Sequence, residues 1–197
     1  MTRIAVNGAA GRMGETVIET AADRDDLEAI VGFDVAAGEV AGVPVVADAV
    51  ADALPEYDVD VVVDFSIPES TLPLARACVD ADVGLVVGTT GFAEDGLAAL
   101  ADASEAIPLL KATNFSRGIQ VLQRTVREAV GALDSYDLEL MESHHNQKVD
   151  APSGTAKTLL DVVQEERDVE PVYGREGHAP REDDEIGVFA RRAGDIR

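Results

Sequence analysis

The residues best suited to chemistry lie in one polar segment, Glu142–Thr155, which reads ESHHNQKVDAPSGT. It contains two of the three histidines, His144 and His145, followed closely by Lys148. Histidine exchanges a proton near neutral pH, and all three side chains carry or can acquire positive charge. The segment therefore predicts a site that donates a proton to an anionic ligand. Histidines and a lysine that are simply exposed to solvent are the alternative.

The end of this segment, Pro152–Thr155, is typical of a helix N-terminus. Ser153 can cap the helix, which leaves the backbone N–H groups of Gly154 and Thr155 available for a carboxylate. His-x-x-x-His or comparable ligand spacing is absent from the sequence, so no metal site is predicted.

A second candidate site is the glycine-rich segment Gly8–Gly14, which reads GAAGRMG between an apolar strand pattern and a helical pattern. Its first glycine permits a tight turn, its second allows close approach of a pyrophosphate, and its third allows the helix to pack closely on the strand. The phosphates would then lie at the helix N-terminus, where N–H groups are unpaired. An ordinary tight turn is the alternative. The predicted cofactor-binding residues here are Gly8, Ala9, Ala10, Gly11, Arg12 and Met13.

Asp34 ends the second predicted strand, at the place where dinucleotide-binding proteins carry an acidic residue for the adenine ribose. A carboxylate disfavours a 2′-phosphate, and the next residue is Val35 rather than a basic one. The pattern therefore favours NADH over NADPH. Arg12 could still reach a 2′-phosphate, so use of both cofactors is left open.

Two further loops follow strand patterns and are predicted to lie at the same edge of the sheet, where ligands bind in open α/β folds. The first, Gly88–Phe92, contributes the candidate cofactor-binding residues Gly88, Thr89 and Thr90. The second, Ala112–Ser116, contributes Ala112, Thr113, Asn114 and Phe115. Taken singly, each is typical of an ordinary loop; together they indicate a cofactor groove.

The elements that must position these residues alternate between strands and helices from the N-terminus to about Lys111, which predicts βαβ units and a parallel sheet. After a boundary near Thr113–Ser116 the pattern changes. A long amphipathic helix, 119–132, is followed by a strand pattern at 137–141 and a turn-rich stretch at 165–185. We therefore predict an α/β protein with a Rossmann-type dinucleotide-binding domain, 1–115, and a smaller α+β substrate-binding domain, 116–197.

The composition restricts the possible partners. The formal net charge is −22, with 38 acidic and 16 basic residues, which disfavours binding to nucleic acid or anionic membranes. Only three of the basic residues are lysines, and this scarcity together with the acidity suggests adaptation to high intracellular salt. A merely acidic mesophilic protein is the alternative. Without a signal-peptide pattern or an apolar stretch of spanning length, a cytoplasmic location is expected.

The segment 142–155 closely resembles the signature His-His-x-x-Lys-x-Asp-Ala-Pro-Ser-Gly-Thr of the 4-hydroxy-tetrahydrodipicolinate (dihydrodipicolinate) reductase family. Further segments similar to that family occur in the same order along the whole chain: Gly8–Gly14, Asp64–Ser66, Gly88–Gly91, Asn114–Ser116, Arg175–His178 and Arg192–Asp195. The resemblance implies an NAD(P)H-dependent reductase of lysine and diaminopimelate synthesis. A different dehydrogenase for an amino-acid-like acid, or a dinucleotide-binding module without catalysis, are the competing interpretations.

The resemblance also implies residue roles. His144 matches the general acid, and Lys148 matches a second proton donor or an electrostatic partner. His145, Gly154 and Thr155 match residues that hold the substrate's carboxylates, while 8–13, Asp34, 88–90 and 112–115 match cofactor-binding positions. Family members usually form homotetramers and continue beyond the Arg-Ala-Gly-Asp motif. We therefore expect this chain, which stops at Arg197, to lack part of its second domain.

Overall fold

The computed structural model describes residues 1–47 and 50–195. The chain divides into two compact units, Met1–Thr113 and Asn114–Arg197. The division lies slightly before the boundary predicted after residue 115. No helix in the described part of the chain is long and apolar enough to cross a membrane.

The first unit contains a seven-stranded sheet with the strand order β3-β4-β2-β1-β5-β6-β7. The strands are β1 (Thr2–Asn7), β2 (Leu27–Phe33), β3 (Gly38–Val40), β4 (Val43–Val46), β5 (Val61–Asp64), β6 (Gly84–Val87) and β7 (Leu109–Lys111). Every pairing is parallel except that of β3 with β4. The predicted Rossmann-type parallel sheet is thus confirmed.

The segment 38–46 forms the hairpin of β3 and β4. The two residues between these strands, Ala41 and Gly42, both have positive φ, at 48° and 84°. Two successive left-handed residues are typical of the tight turn whose twist matches an antiparallel strand pair. The hairpin therefore forms the antiparallel edge of an otherwise parallel sheet.

Helices cover both faces of this sheet, as the near-continuous apolar strands require. The helices are α1 (Arg12–Ala22), α2 (Val50–Glu56), α3 (Pro68–Ala81) and α4 (Glu94–Ser104). Helix α1 packs Ile18 against Ile4 and Val6 on one face. The other three helices form the larger core on the opposite face, which includes the buried Cys78. Helix α2 was not predicted, because it is short and contains Pro55.

The second unit has a parallel three-stranded sheet with the order β8-β10-β9. Its elements are α5 (Arg117–Ala132), β8 (Leu138–His144), α6 (Gly154–Glu166), β9 (Glu170–Val172) and β10 (Glu185–Arg192). Apolar residues of both helices and of β8 and β10 form one core with Val169, which precedes β9; the core includes Val130, Leu160 and Val188. The short strand β9 lies inside a stretch predicted to be turns, since Pro171 disfavours a strand.

Strand β8 also differs from its prediction, which ended at residue 141. Pairing with β10 continues to the end, where His144 is opposite Arg192. The last part of β8 is polar, so the apolar alternation that reveals a strand is missing there. As a consequence, Glu142 and His144 lie on a strand rather than in a loop.

Candidate active site

The glycine-rich turn of the first unit has the geometry of a dinucleotide-binding loop. Gly8 has a φ of 75°, and a Cβ atom there would lie 2.5 Å from the carbonyl oxygen of Phe65. A Cβ atom on Gly14 would lie 2.1 Å from the carbonyl oxygen of Gly8, so only glycine allows α1 to start this close to β1. The N-cap residue Gly11 supplies no side-chain cap to the helix. The N-terminus of α1 thus has no side-chain cap, which suits anion binding there.

Asp34 follows β2 and contacts this loop directly. One carboxylate oxygen accepts a hydrogen bond from the N–H of Ala10 at 2.9 Å, and the other accepts one from Val35 at 2.8 Å. Asp34 is partly exposed, and Arg12 is exposed on α1. The structure thus brings the predicted ribose-binding carboxylate to the predicted phosphate-binding turn.

A cavity of about 920 Å³ lies over this edge of the sheet. Of the predicted cofactor-binding residues, Gly8, Ala10, Gly11 and Asp34 line it. The loop after β5 also lines it with Phe65, Ser66 and Ile67, which were not predicted as binding residues. Among the described residues, the predicted members of 88–90 and 112–115 do not line this cavity.

The buried carboxylate of Asp64 connects three strand ends beneath the cavity. Its Oδ1 accepts hydrogen bonds from Asn7 at 2.7 Å and from Ser66 at 2.6 Å. Its Oδ2 accepts from the hydroxyls of Thr71 at 2.7 Å and Thr89 at 2.8 Å. Burial, and to a smaller extent the charge of Asp64, raises the pKa of the Cys78 thiol to about 12.

The loop after β6 is held by this network. The hydroxyl of Thr89 donates to Asp64 and accepts a hydrogen bond from the N–H of Ser66 at 2.8 Å. Thr89 is only 3% exposed, whereas its neighbour Thr90 is exposed. A Cβ atom on Gly88 would lie 2.1 Å from the ring of Phe65. The side chain of Thr89 therefore positions the loop, and Thr90 is the residue that points to solvent.

The last predicted cofactor loop crosses the division between the units. Ala112 belongs to the first unit, where its N–H donates to Val87 at 3.1 Å. Asn114 belongs to the second unit, where its side-chain oxygen accepts from the N–H of Ser116 at 2.8 Å. Ser116 in turn caps α5. Thr113 and Phe115 are exposed.

In the second unit, Glu142 and His144 lie side by side on β8. Residues two apart on a strand share a face, and this face is the one on which Leu138 and Leu140 join the core. The imidazole Nδ1 of His144 lies 2.5 Å from Oε2 of Glu142. The His144 side chain is 36% exposed and that of Glu142 only 11%. The sheet thus hides the carboxylate and presents the imidazole to solvent.

Glu142 is held by two further groups. Arg192, at the end of β10, donates from Nη1 to Oε2 at 2.9 Å and from Nη2 to Oε1 at 2.7 Å. The backbone N–H of Ser153 donates to Oε1 at 3.1 Å. The hydrogen bonds from Arg192, followed by those from His144 and Ser153, lower the pKa of Glu142 to about 2 despite its burial. Glu142 is therefore an anion at neutral pH.

Lys148 lies in the loop that follows His144. Its Nζ is 2.7 Å from a carboxylate oxygen of Asp150, and this contact lowers the pKa of Asp150 below its ordinary value. The backbone N–H of Lys148 donates to the carbonyl of His145 at 3.2 Å, which closes a turn. The ring Nδ1 of His145 is buried, and the described residues provide it with no hydrogen-bond partner.

The loop ends at the N-terminus of α6, as predicted. The hydroxyl of Ser153 accepts from the N–H of Ala156 at 3.2 Å and caps the helix. Gly154 is exposed, and the hydroxyl of Thr155 accepts a hydrogen bond from Asn114 at 3.1 Å. His144, Lys148 and the first turn of α6 therefore lie in one continuous segment. Glu142 links its two ends, because it contacts both the imidazole of His144 and the N–H of Ser153.

Sequence reasoning assigned no role to Glu142, Arg192 or Asp64, although each lies in a motif. The detectable signal was the spacing of Glu142 and His144, because residues two apart on a strand share a face. The pairing of Arg192 with Glu142 depends on β8 and β10 being neighbours, and the sequence carries no comparable signal for that pairing.

The comparisons with known proteins identify the family of the chain. Residues 2–115 match the family model described as dihydrodipicolinate reductase, N-terminus, and residues 118–197 match the one described as dihydrodipicolinate reductase, C-terminus. The chain is 71% identical to a 4-hydroxy-tetrahydrodipicolinate reductase of Haloarcula marismortui, over all of this chain and 79% of that protein. It is 46% identical to the enzyme of the same name from Natronomonas pharaonis, over 98% of this chain and 78% of that protein.

A solved structure supports the fold. The dipicolinate-bound dihydrodipicolinate reductase from a Paenisporosarcina species superimposes with a TM-score of 0.76 at 24% identity, and the match covers 98% of this chain and 79% of that one. At this identity the likeness concerns the fold alone. The two family models and the relatives together show that the chain belongs to the dihydrodipicolinate reductase family.

Proposed function

We propose that the protein reduces 4-hydroxy-tetrahydrodipicolinate to tetrahydrodipicolinate with NAD(P)H, in lysine biosynthesis through diaminopimelate. The observation that carries the proposal is the continuous segment 144–155. It combines a partly exposed histidine, a lysine four residues later and a helix N-terminus with an exposed glycine, Gly154, in a chain 71% identical to a protein of that name. Such a combination suits a dianionic substrate that must accept a proton.

The first domain, 1–115, is proposed to bind the cofactor. The close approach at Gly8 and Gly14, the uncapped N-terminus of α1 and the cavity of about 920 Å³ fit a pyrophosphate and its ribose. The remaining proposed contacts are Ala9, Ala10, Gly11, Arg12, Met13, Gly88, Thr89, Thr90, Ala112, Thr113, Asn114 and Phe115.

NADH is proposed as the preferred form of the cofactor. Asp34 lies at the loop and is followed by the exposed Val35, and Glu69 also lines the cavity. Carboxylates next to a 2′-phosphate cost electrostatic free energy, whereas they accept hydrogen bonds from ribose hydroxyls. Arg12 is the group that could still accommodate NADPH.

The second domain, 116–197, is proposed to bind and protonate the substrate. The 4-hydroxyl group leaves as water together with a neighbouring ring proton, and the bound cofactor would supply the hydride. His144 then provides a proton to the ring on which negative charge develops, and Lys148 acts as a second donor or as an electrostatic partner. His145 and the N–H groups of Gly154 and Thr155 hold the two carboxylates.

The remaining proposals concern the assembly and its surroundings. On the strength of the motif resemblance, we propose a cytoplasmic location, a small dicarboxylate as the substrate, and the homotetramer that is expected for the full-length family. The charge of −22 supports the proposal that nucleic acid and anionic membranes are not partners. Light scattering on a purified full-length member tests the assembly, and a monomer would contradict it.

The proposed reaction is tested by following NADH oxidation at 340 nm at high salt with freshly generated 4-hydroxy-tetrahydrodipicolinate. The expected result is oxidation that requires the substrate, with NADPH used less well. NADH binding without substrate-dependent oxidation would contradict the proposed activity. Oxidation with a different amino-acid-like acid alone would favour another dehydrogenase reaction.

A further inference from the structure

The contacts of Glu142 determine which nitrogen of His144 can exchange a proton. Its carboxylate is an anion that accepts hydrogen bonds from Arg192 and from the N–H of Ser153. Because it carries no proton, its contact with Nδ1 of His144 requires the proton to lie on that nitrogen. The opposite nitrogen, Nε2, then gains and loses the exchangeable proton.

The carboxylate is itself rigidly held. Arg192 donates to both of its oxygens. This bidentate geometry fixes the orientation of a carboxylate relative to a guanidinium better than a single hydrogen bond does. The side chains of Glu142 and Arg192 are only 11% and 17% exposed. A carboxylate buried to this extent and contacted on both oxygens has little freedom to rotate away from the imidazole.

Arg192 also connects the two halves of the segment. Its Nη2 donates to the carbonyl oxygen of Asp150 at 2.6 Å, and the side chain of Asp150 contacts Lys148. The guanidinium of Arg192 therefore holds both Glu142, which contacts His144, and the backbone of Asp150, whose side chain contacts Lys148. Removal of Glu142 would leave this guanidinium without its main anion.

We propose that Glu142 is a positioning residue, which holds the Nδ1 proton of His144 so that Nε2 faces the substrate as the proton-donating atom, while Arg192 holds Glu142. The role rests on the proposed function, in which His144 is the general acid. Glu142 itself does not touch the substrate. It acts by fixing the orientation and the tautomer of the ring, as second partners of functional histidines do.

The first test is a tautomer measurement that needs neither substrate nor activity. The chain is labelled with ¹⁵N-histidine, and long-range proton–nitrogen spectra are recorded at alkaline pH, where the rings are neutral. Only three histidines contribute, so loss of one set of signals in His144→Gln assigns His144. The expected result is a proton on Nδ1. A proton on Nε2 in the unsubstituted chain would overturn the proposal, whether or not the protein is active.

The second test separates positioning from folding. In Glu142→Gln we expect kcat to fall roughly tenfold to a hundredfold with the KM for NADH unchanged, and the tautomer to become mixed. Glu142→Asp should restore part of the loss. Glu139→Gln is the matched control, because Glu139 lies on the same strand and contacts Arg181 at 2.6 Å. It should keep full activity.

The results distinguish the two proposals. Unchanged kcat and an unchanged tautomer in Glu142→Gln would overturn the positioning role while leaving the reaction intact. Normal turnover in His144→Gln would instead remove the general acid on which that role rests. If Glu142→Gln does not fold, the tautomer of the unsubstituted chain still decides the question.

Discussion

Arg192 and Glu142, fifty residues apart in the sequence, meet through paired contacts of 2.9 and 2.7 Å between guanidinium nitrogens and carboxylate oxygens. The contact exists because β8 and β10 are neighbours, with Arg192 opposite His144 in the register. It neutralises a mostly buried carboxylate directly behind the imidazole. The two strands therefore form a rigid support for the segment in which we place the chemistry.

The first prediction concerns stability at acidic pH. The folded-state pKa of Glu142, about 2, lies below its ordinary value of 4.5, mainly because of Arg192. Its contribution is therefore fully present above about pH 4.5 and is lost as the pH falls toward 2. Over this window the free energy of unfolding should fall on the order of 2 kcal/mol further in the unsubstituted chain than in Glu142→Gln. Denaturant titrations at fixed salt measure this, and parallel pH profiles would contradict it.

The second prediction concerns the general acid. His144→Ala should lower kcat by roughly 10² to 10⁴-fold, because general acid catalysis contributes rate enhancements of that size. Binding of NADH, followed by fluorescence, should be unchanged. The control is His178→Ala, since His178 is exposed and has no proposed role. Near-normal turnover in His144→Ala would remove this residue from the mechanism.

The third prediction concerns cofactor preference. Asp34→Asn should raise the KM for NADH by about tenfold, the effect of losing one charged hydrogen bond of about 1.4 kcal/mol. The KM for NADPH should change less or fall, because the repulsion of a 2′-phosphate is removed. Glu39→Gln removes an exposed carboxylate of the same unit and is the control. Equal losses with both cofactors would count against the ribose contact.

The fourth prediction concerns the buried carboxylate of Asp64, which accepts four hydrogen bonds. In Asp64→Asn, one oxygen is replaced by an NH₂ group that cannot accept a hydrogen bond. The two groups that donate to that oxygen in the unsubstituted chain therefore lose their acceptor. We expect a loss of roughly 1–3 kcal/mol in the free energy of unfolding. Denaturant midpoints measure it against Asp80→Asn, an exposed position on α3. Equal midpoints would show that the network is unimportant for stability.

The fifth prediction concerns salt. With a net charge of −22, repulsion between carboxylates is screened over about 3 Å at 1 M salt but over about 10 Å at 0.1 M. We expect the chain to be folded at molar salt and to lose helical circular dichroism as the salt is lowered to about 0.1 M. An unchanged spectrum across the series would identify an acidic protein without a salt requirement.

The sequence alone was sufficient to predict the parallel sheet and the glycine-rich turn and to single out the segment 142–155. These features depend on local patterns: apolar runs alternate with helical spacing, and Gly8 and Gly14 occupy positions where a Cβ atom would collide with backbone. The signature around His144 and Lys148 was also sufficient to identify the family, which the family models confirm.

Contacts between distant residues were decided only by the tertiary structure. The predicted strand ended at residue 141, whereas pairing with β10 extends β8 to His144 and brings Arg192 to Glu142. Thr89, expected at the cofactor, uses its hydroxyl to hold Asp64 beneath the sheet edge. Hydrogen bonds between polar side chains depend on strand order and register, which no local periodicity encodes. The candidate site residues were therefore proposed from the sequence, but the residues that position them were not.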